Sequence, residues 1–220
     1  MKVEKPDWSG IDTVLLDLDG TLLDLHFDDH FWQEHLPRHY AGLHGIDVEQ
    51  ARALLLPRFR AMEGTLEWYC LDYWSRELGL DVPALKQEIA HLIAVHPHVV
   101  EFLRALKETR RKVVLTTNAH GDSVALKMAR TGLAPWFDRM VSAHELGMAK
   151  ESDRFWAALA GVVAYEPERT LLVDDNLAAL ASARRYGIRH LRAVRRPNSR
   201  GEPVETGEFP AIDDFRDIMP

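Results

Sequence analysis

The chain has 220 residues, room for one core domain with a modest insertion. Hydrophobic residues make up 46% and charged residues 28%, an ordinary globular balance, and no apolar run is long enough to span a bilayer. A net charge of −7 argues against a general nucleic-acid binder, but not against a small phosphorylated substrate, whose site needs only a local positive field.

The opening segment, Met1 to Asp7, lacks the apolar core of a signal peptide. Cys70 is the one cysteine, so no internal disulfide forms, which fits a reducing cytosol. Nothing near Cys70 in sequence looks like a base, so packing explains it better than catalysis. No internal repeat or low-complexity tract interrupts the chain.

Ile11 to Leu18 reads as the first strand. The run Val14-Leu15-Leu16-Asp17-Leu18-Asp19-Gly20-Thr21 ends an apolar segment in two carboxylates and a turn. Residues two apart on a strand share a face, so Asp17 and Asp19 face the same side if the extended geometry continues. Gly20 then lets the backbone leave sharply. Paired carboxylates there suit a divalent cation with nucleophilic or acid–base chemistry. A strand ending in a solvated acidic turn is the plainer alternative.

From Asp24 to about His96 the pattern turns helical and aromatic, with Gly45, Gly64 and Gly79 as punctuation. Asp81-Val82-Pro83 reads as a helix start. Val99, Phe102, Leu103 and Leu106 recur at helical spacing. A strand from Lys112 to Thr116 ends in Thr117-Asn118, followed by a helix from about Asp122 to Arg130 that Gly132 closes. Arg139 to Ala143 is a further strand. Gly147 to Lys150 is a loop before a helix faced by Phe155, Ala158, Leu159 and Val162. The strand Thr170 to Val173 ends in Asp174-Asp175, and Asn176 caps the helix Leu177 to Tyr186. Ile188 to Val194 is the last strand, and Arg195 to Gly207 reads as surface loop. Strands alternating with helices predict an α/β fold with a doubly wound parallel sheet. The core is residues 1–23 and 97–220, with a helical cap inserted at 24–96. In such a sheet, groups at strand ends converge: Asp17 and Asp19, Thr117 and Asn118, Lys150, and Asp174 with Asp175.

These motifs, in this order, resemble the haloacid dehalogenase superfamily of hydrolases, whose signature is DxDGT. The resemblance implies that Asp17 is a nucleophile forming an aspartyl-phosphate and that Asp19 is general acid and base. Mg²⁺ would be held by the Asp17 side chain, the Asp19 carbonyl and a carboxylate of the Asp174-Asp175 pair. Thr117, taken over Thr116, would bind a phosphoryl oxygen beside the amides of Asn118 and Ala119, and Lys150 would hold nucleophile and phosphate together. Many members have Gly-Asp where this chain has Asp174-Asp175, and a further Asp where it has Ala179. Asp175 matches the metal-binding Asp, with Asp174 behind it, although the two roles are exchangeable.

Dehalogenases and phosphonate-cleaving members lack an acid at the position of Asp19, so phosphate esters are favoured. The stretches Asp17 to Trp32 and Leu66 to Leu80, with Thr131-Gly132-Leu133, are similar to the purine 5′-nucleotidase branch. That implies a small phosphomonoester substrate, GMP or IMP, a cytoplasmic setting, and no nucleic-acid polymer or membrane as partner. Trp68, Tyr69, Tyr73 and Trp74 then either stack on a base or form cap core, and His26, Asp28 and Asp29 either line the entrance or serve structure. A sugar-phosphate phosphatase or mutase, or a catalytically silent binding protein of the same fold, would carry many of the same letters.

Overall fold

The computed structural model describes residues 5–220; Met1 to Glu4, part of the segment read for a signal peptide, lie outside the described residues. Among the described residues there are six strands: β1 (Thr13–Leu16), β2 (Lys112–Thr117), β3 (Arg139–Ser142), β4 (Thr170–Asp174), β5 (His190–Val194) and β6 (Ala211–Ile212). They form one parallel sheet in the order β3-β2-β1-β4-β5-β6. The order reverses at β1, so the crevice beyond its carboxyl end is the natural ligand site.

A helical insert separates β1 from β2. It contains α1 (His26–His30), α2 (Leu36–His44), α3 (Val48–Met62), α4 (Leu71–Leu78) and α5 (Val82–Glu88). A π-helical turn, Phe31–His35, joins α1 to α2. The core adds α6 (Val99–Glu108), α7 (Gly121–Thr131), α8 (Ala143–Leu146), α9 (Phe155–Val162) and α10 (Leu177–Tyr186). Local chemistry accounts for many of these ends. Asp81 caps α5 by accepting from the Ala84 N–H at 3.0 Å, and Gly45 and Gly79 close α2 and α4 in the left-handed conformation. Among the described residues, no helix is long and apolar enough to cross a membrane.

The sheet is covered on both faces, which explains why β1 reads as an unbroken apolar run. Val14, Leu16, Val113, Leu115, Leu171 and Val173 pack on one side with Phe102, Leu103, Leu106 and residues of the insert. Leu15, Val114 and Leu172 pack on the other with Phe155, Leu159, Leu180 and Ala183. This is the two-residue alternation of a strand, filled from both sides.

The first strand is shorter than its apolar run. Regular pairing stops at Leu16, although the Asp17 N–H still donates to the Val173 carbonyl at 3.0 Å. Beyond it the chain curls, with Gly20 at φ +81° and its N–H on the Leu23 carbonyl at 2.8 Å. Strand β5 begins at His190 rather than Ile188. Two-residue β6 has no sequence counterpart, because a segment that short carries no periodicity. The segment from Arg195 to Gly207 is irregular, as expected, but it is more than a surface loop. The Pro197 carbonyl accepts from the Leu25 N–H, Asn198 donates to Asp29, and Ser199 donates to Asp24. It therefore clasps the start of the insert.

Candidate active site

The residues singled out at separate strand ends meet in one pocket of about 130 Å³, lined by Asp17, Asp19, Thr117, Asn118, Lys150, Asp174 and Asp175 together with Leu25, Tyr69, Ala119 and Asn176. Its centre is the Lys150 ammonium. Nζ donates to Asp17 Oδ1 at 2.5 Å, to Asp174 Oδ2 at 2.7 Å and to the Thr116 carbonyl at 3.3 Å. Lys150 is 1% exposed and Asp174 is fully buried. Burial alone would lower the Lys150 pKa, but Asp17 and Asp174 outweigh it and hold the charge in place. Asn118 sets the loop, because its Oδ1 accepts from the Lys150 backbone N–H at 2.9 Å.

Three carboxylates face this single lysine. Ligand atoms of Asp17, Asp174 and Asp175 lie within 4.8 Å of one another. Burial is the main force pushing the Asp17 carboxyl up to about 7; Asp174 adds to it and Lys150 opposes. Burial, then Asp17 and Asp174, hold Asp175 well above the ordinary carboxylate range. The site is thus short of positive charge, a donor set that suits a divalent cation with oxygen ligands. The two aspartates of β4 differ. Asp174 uses both oxygens, one on Lys150 and one on the Asn176 N–H at 3.0 Å. The Asp175 carboxylate takes a long 3.5 Å contact from the Thr21 hydroxyl in place of a lysine, which leaves it the freer ligand.

The phosphate-side loop is partly engaged. Thr117 lines the pocket and Thr116 does not, being fully buried behind it. The Ala119 amide, expected to face a phosphoryl oxygen, instead donates to Thr117 Oγ1 at 3.1 Å.

Asp19 sits in a different field. Burial pushes its carboxyl up to about 6, with Lys127 pulling it down and Asp28 and Asp17 pushing it up. Lys127 Nζ lies 2.6 Å from Asp19 Oδ1 and 2.7 Å from Asp28 Oδ2. Lys86, on α5, lies 2.6 Å from the other Asp28 oxygen and stacks over Phe31 at 4.6 Å. A chain of alternating charge, Lys86–Asp28–Lys127–Asp19, thus runs from the insert into the core. Burial would raise the Asp28 carboxyl, but Lys127 and Lys86 together hold it well below the usual range.

Sequence reasoning missed several residues here. Lys127 and Lys86 read as ordinary helical lysines, although each lies on the inward face, Lys127 one turn after buried Ser123 and Lys86 one turn after buried Val82. Glu151 follows Lys150 directly and accepts from the Tyr69 hydroxyl at 2.7 Å, Asn176 Nδ2 at 2.7 Å and Asn118 Nδ2 at 3.0 Å. It fastens the insert to two core loops. Thr21 is the threonine of the DxDGT motif; its hydroxyl accepts from the Asp175 N–H at 3.1 Å and ties the β1 loop to the β4 loop.

A second cavity, about 380 Å³, opens from the pocket between insert and core. Trp68 and Tyr69 line it, along with Trp32, Asp28, Asp29 and His120. Tyr73 and Trp74 do not. Trp74 is 1% exposed and packs edge-on against Phe59 at 4.9 Å, so it belongs to the core of the insert. His26 is absent from the cavity wall as well.

A parallel sheet with its acids and lysine gathered at the switch point, beneath a helical insert, defines a phosphatase-type hydrolase of the haloacid dehalogenase-like family. The chain belongs to that family, which it matches over residues 11–187. It is 38% identical to the GMP/IMP nucleotidase YrfG of Escherichia coli (strain K12) over 213 residues, 97% of this chain and 96% of that protein. It is 28% identical to the phosphoglycolate phosphatase of Caulobacter vibrioides over 94% of this chain and 88% of that one. Among solved structures it is similar to a HAD phosphatase from Thermococcus onnurineus, with a TM-score of 0.76 at 22% identity, over 87% of this chain and 89% of that chain.

Proposed function

We propose that the chain is a Mg²⁺-dependent hydrolase of purine nucleoside monophosphates, GMP and IMP, working through a phosphorylated Asp17. The observation that carries this reading is the pairing of two sites. A charged pocket of phosphate size holds Asp17 against Lys150, and an aromatic cavity of about 380 Å³ opens from it. That volume lies within the range of small-molecule sites. The substantial identity to a GMP/IMP nucleotidase along nearly the whole chain supports the choice of leaving group.

Asp17 Oδ1 is held by Lys150, which leaves Oδ2 for attack on phosphorus. As the new P–O bond forms, the ester P–O bond breaks and Asp19 passes its proton to the departing oxygen. A carboxyl raised to about 6 can carry that proton near neutrality. In the second half Asp19 takes a proton from water as the water attacks the phosphorus, releasing phosphate and restoring Asp17. Lys150 and the Thr117 hydroxyl would hold the phosphoryl oxygens. Asp17, Asp175 and the Asp19 carbonyl, with Asp174 behind them, would hold Mg²⁺, which when bound offsets the repulsion between carboxylate and phosphate. The helical insert, residues 24–96, serves as a cap that excludes water and selects the ester. Trp68 offers a face for the purine. Free Cys70 accords with a reducing, cytoplasmic setting.

A carboxylated ester such as phosphoglycolate fits less well, because its second anion would face Asp29 and Glu63 in the cavity wall. The test is phosphate release from a panel of metabolites with added Mg²⁺. GMP and IMP should lead the panel, and EDTA or Asp17→Asn should abolish turnover. Equal or faster hydrolysis of sugar phosphates would remove the purine assignment. Failure of beryllofluoride to bind at Asp17 would remove the aspartyl-phosphate.

A further inference from the structure

A second set of metal-ligating side chains lies outside the acidic pocket, where the insert meets the core. Cys70 precedes α4, His120 precedes α7, and His144 lies on α8. The Cys70 sulfur and one ring nitrogen from each histidine lie within 4.8 Å of one another. The His120 and His144 rings meet edge to face at 5.0 Å.

His144 carries the independent observation. Its Nε2 is buried without a hydrogen-bond partner. Its ring is hydrogen-bonded to the Asn118 backbone carbonyl. A proton on Nδ1 satisfies that carbonyl and leaves the Nε2 lone pair bare. An imidazole anchored through one nitrogen to a carbonyl, with the other nitrogen open, is how metal-ligating histidines are held. Left unfilled, a buried acceptor is a cost the fold has no evident reason to carry.

The other two donors are similarly prepared. The Cys70 sulfur accepts the Tyr73 N–H at 3.4 Å at the start of α4. His120 Nδ1 accepts weakly from the Asp122 N–H at 3.4 Å, while the Asp122 carboxylate lies 3.7 Å from the same nitrogen. Asp72 Oδ2 lies 3.6 Å from His120 Nε2 on the solvent side.

We propose that Cys70, His120 and His144 bind Zn²⁺ and so fasten the helical insert to the core beside the substrate cavity. One thiolate and two imidazoles select zinc over magnesium, which prefers oxygen. Tetrahedral Zn–S and Zn–N bonds of about 2.3 and 2.0–2.1 Å set donors roughly 3.3–3.6 Å apart. The three donors lie no more than 4.8 Å apart, so the set is close to that spacing. Cys70 is on the insert and both histidines are on the core, so a bound ion would tie the two together. His120 lines the cavity, which puts the ion in reach of substrate traffic. The proposal stands apart from which phosphate ester is hydrolysed, since metal binding is read without substrate.

The experiment is titration of the full chain in excess Mg²⁺, with Zn²⁺ by calorimetry and Co²⁺ by absorption. One Zn²⁺ per chain should bind, and Co²⁺ should give a thiolate-to-metal charge-transfer band. Cys70→Ser should lack the band. Cys70→Ser and His144→Ala should each weaken Zn²⁺ binding by at least about 100-fold, since loss of a supporting partner alone costs about 10–100-fold. Serine is a good helix N-cap, so Cys70→Ser keeps the start of α4 and its turnover in Mg²⁺. Zn²⁺ should slow the parent and spare Cys70→Ser. Absence of the cobalt band, or zinc bound as tightly by Cys70→Ser as by the parent, overturns the proposal and assigns any bound zinc to the carboxylates.

Discussion

Asp17→Asn is expected to abolish hydrolysis and, without metal, to make the protein more stable. Asp17 is 4% exposed, and its carboxyl is pushed from 3.8 to about 7, chiefly by burial. That is about 3 pH units, and at 1.36 kcal/mol each the ionised form carries a penalty of about 4 kcal/mol. Asparagine removes the charge but accepts a weaker hydrogen bond from Lys150, which returns about 1–3 kcal/mol. The net gain expected is about 1–3 kcal/mol, or roughly 2–4 °C in Tm per kcal/mol for a chain of this size. The sign follows from linkage. The folded pKa lies above the unfolded one, so the native state binds more protons between about pH 4 and 7. The penalty is complete above about pH 7 and fades as pH falls, vanishing only below about 4, where the parent carboxyl is protonated in both states. The advantage of Asp17→Asn should therefore be full at pH 8 and shrink at pH 5. Urea unfolding in EDTA at both values measures it. A variant less stable than the parent at pH 8, or an advantage that grows on acidification, would refute the electrostatic reasoning.

Lys127→Met leaves Asp28 and Asp19 short of a buried partner and should cost about 3–5 kcal/mol, read as a lower denaturation midpoint. Adding Asp28→Asn restores the charge balance, so the double variant should lose less than the sum of the singles; strict additivity would show that the chain of charge is not coupled. Gly20→Ala should weaken Mg²⁺ binding and lower stability, because Gly20 stands at φ +81° and an added Cβ would sit 2.6 Å from Asp175 Cγ; unchanged Mg²⁺ titrations would count against Asp175 as a ligand. Trp68→Ala should raise KM for GMP by roughly 5- to 150-fold, the worth of about 1–3 kcal/mol of base stacking, and leave hydrolysis of a phosphate ester without a base unchanged. Equal losses on both substrates would make Trp68 structural.

Features with a local cause could be read from the order of the residues. An apolar run stopped by Asp17 and Asp19 marks a buried strand leading to a turn that carries two carboxylates. The helix Leu177–Tyr186 is bounded as read, because Asn176 caps one end and Gly187 takes the left-handed turn at the other. The four polar strand ends could be ordered into one site because a doubly wound sheet brings strand ends together. Which ordinary residues join them depends on how distant segments pack. Lys127 becomes the counter-ion of Asp19 only when α7 packs beside the β1 loop, and Glu151 becomes a clasp only when Tyr69 descends from the insert. Cys70 has no base near it along the chain, yet two imidazoles reach it across the insert–core boundary. A lysine, a glutamate or a cysteine has no local pattern that announces a distant partner. Burial and proximity give these side chains their charge state and contacts, and both exist only once the chain has closed on itself.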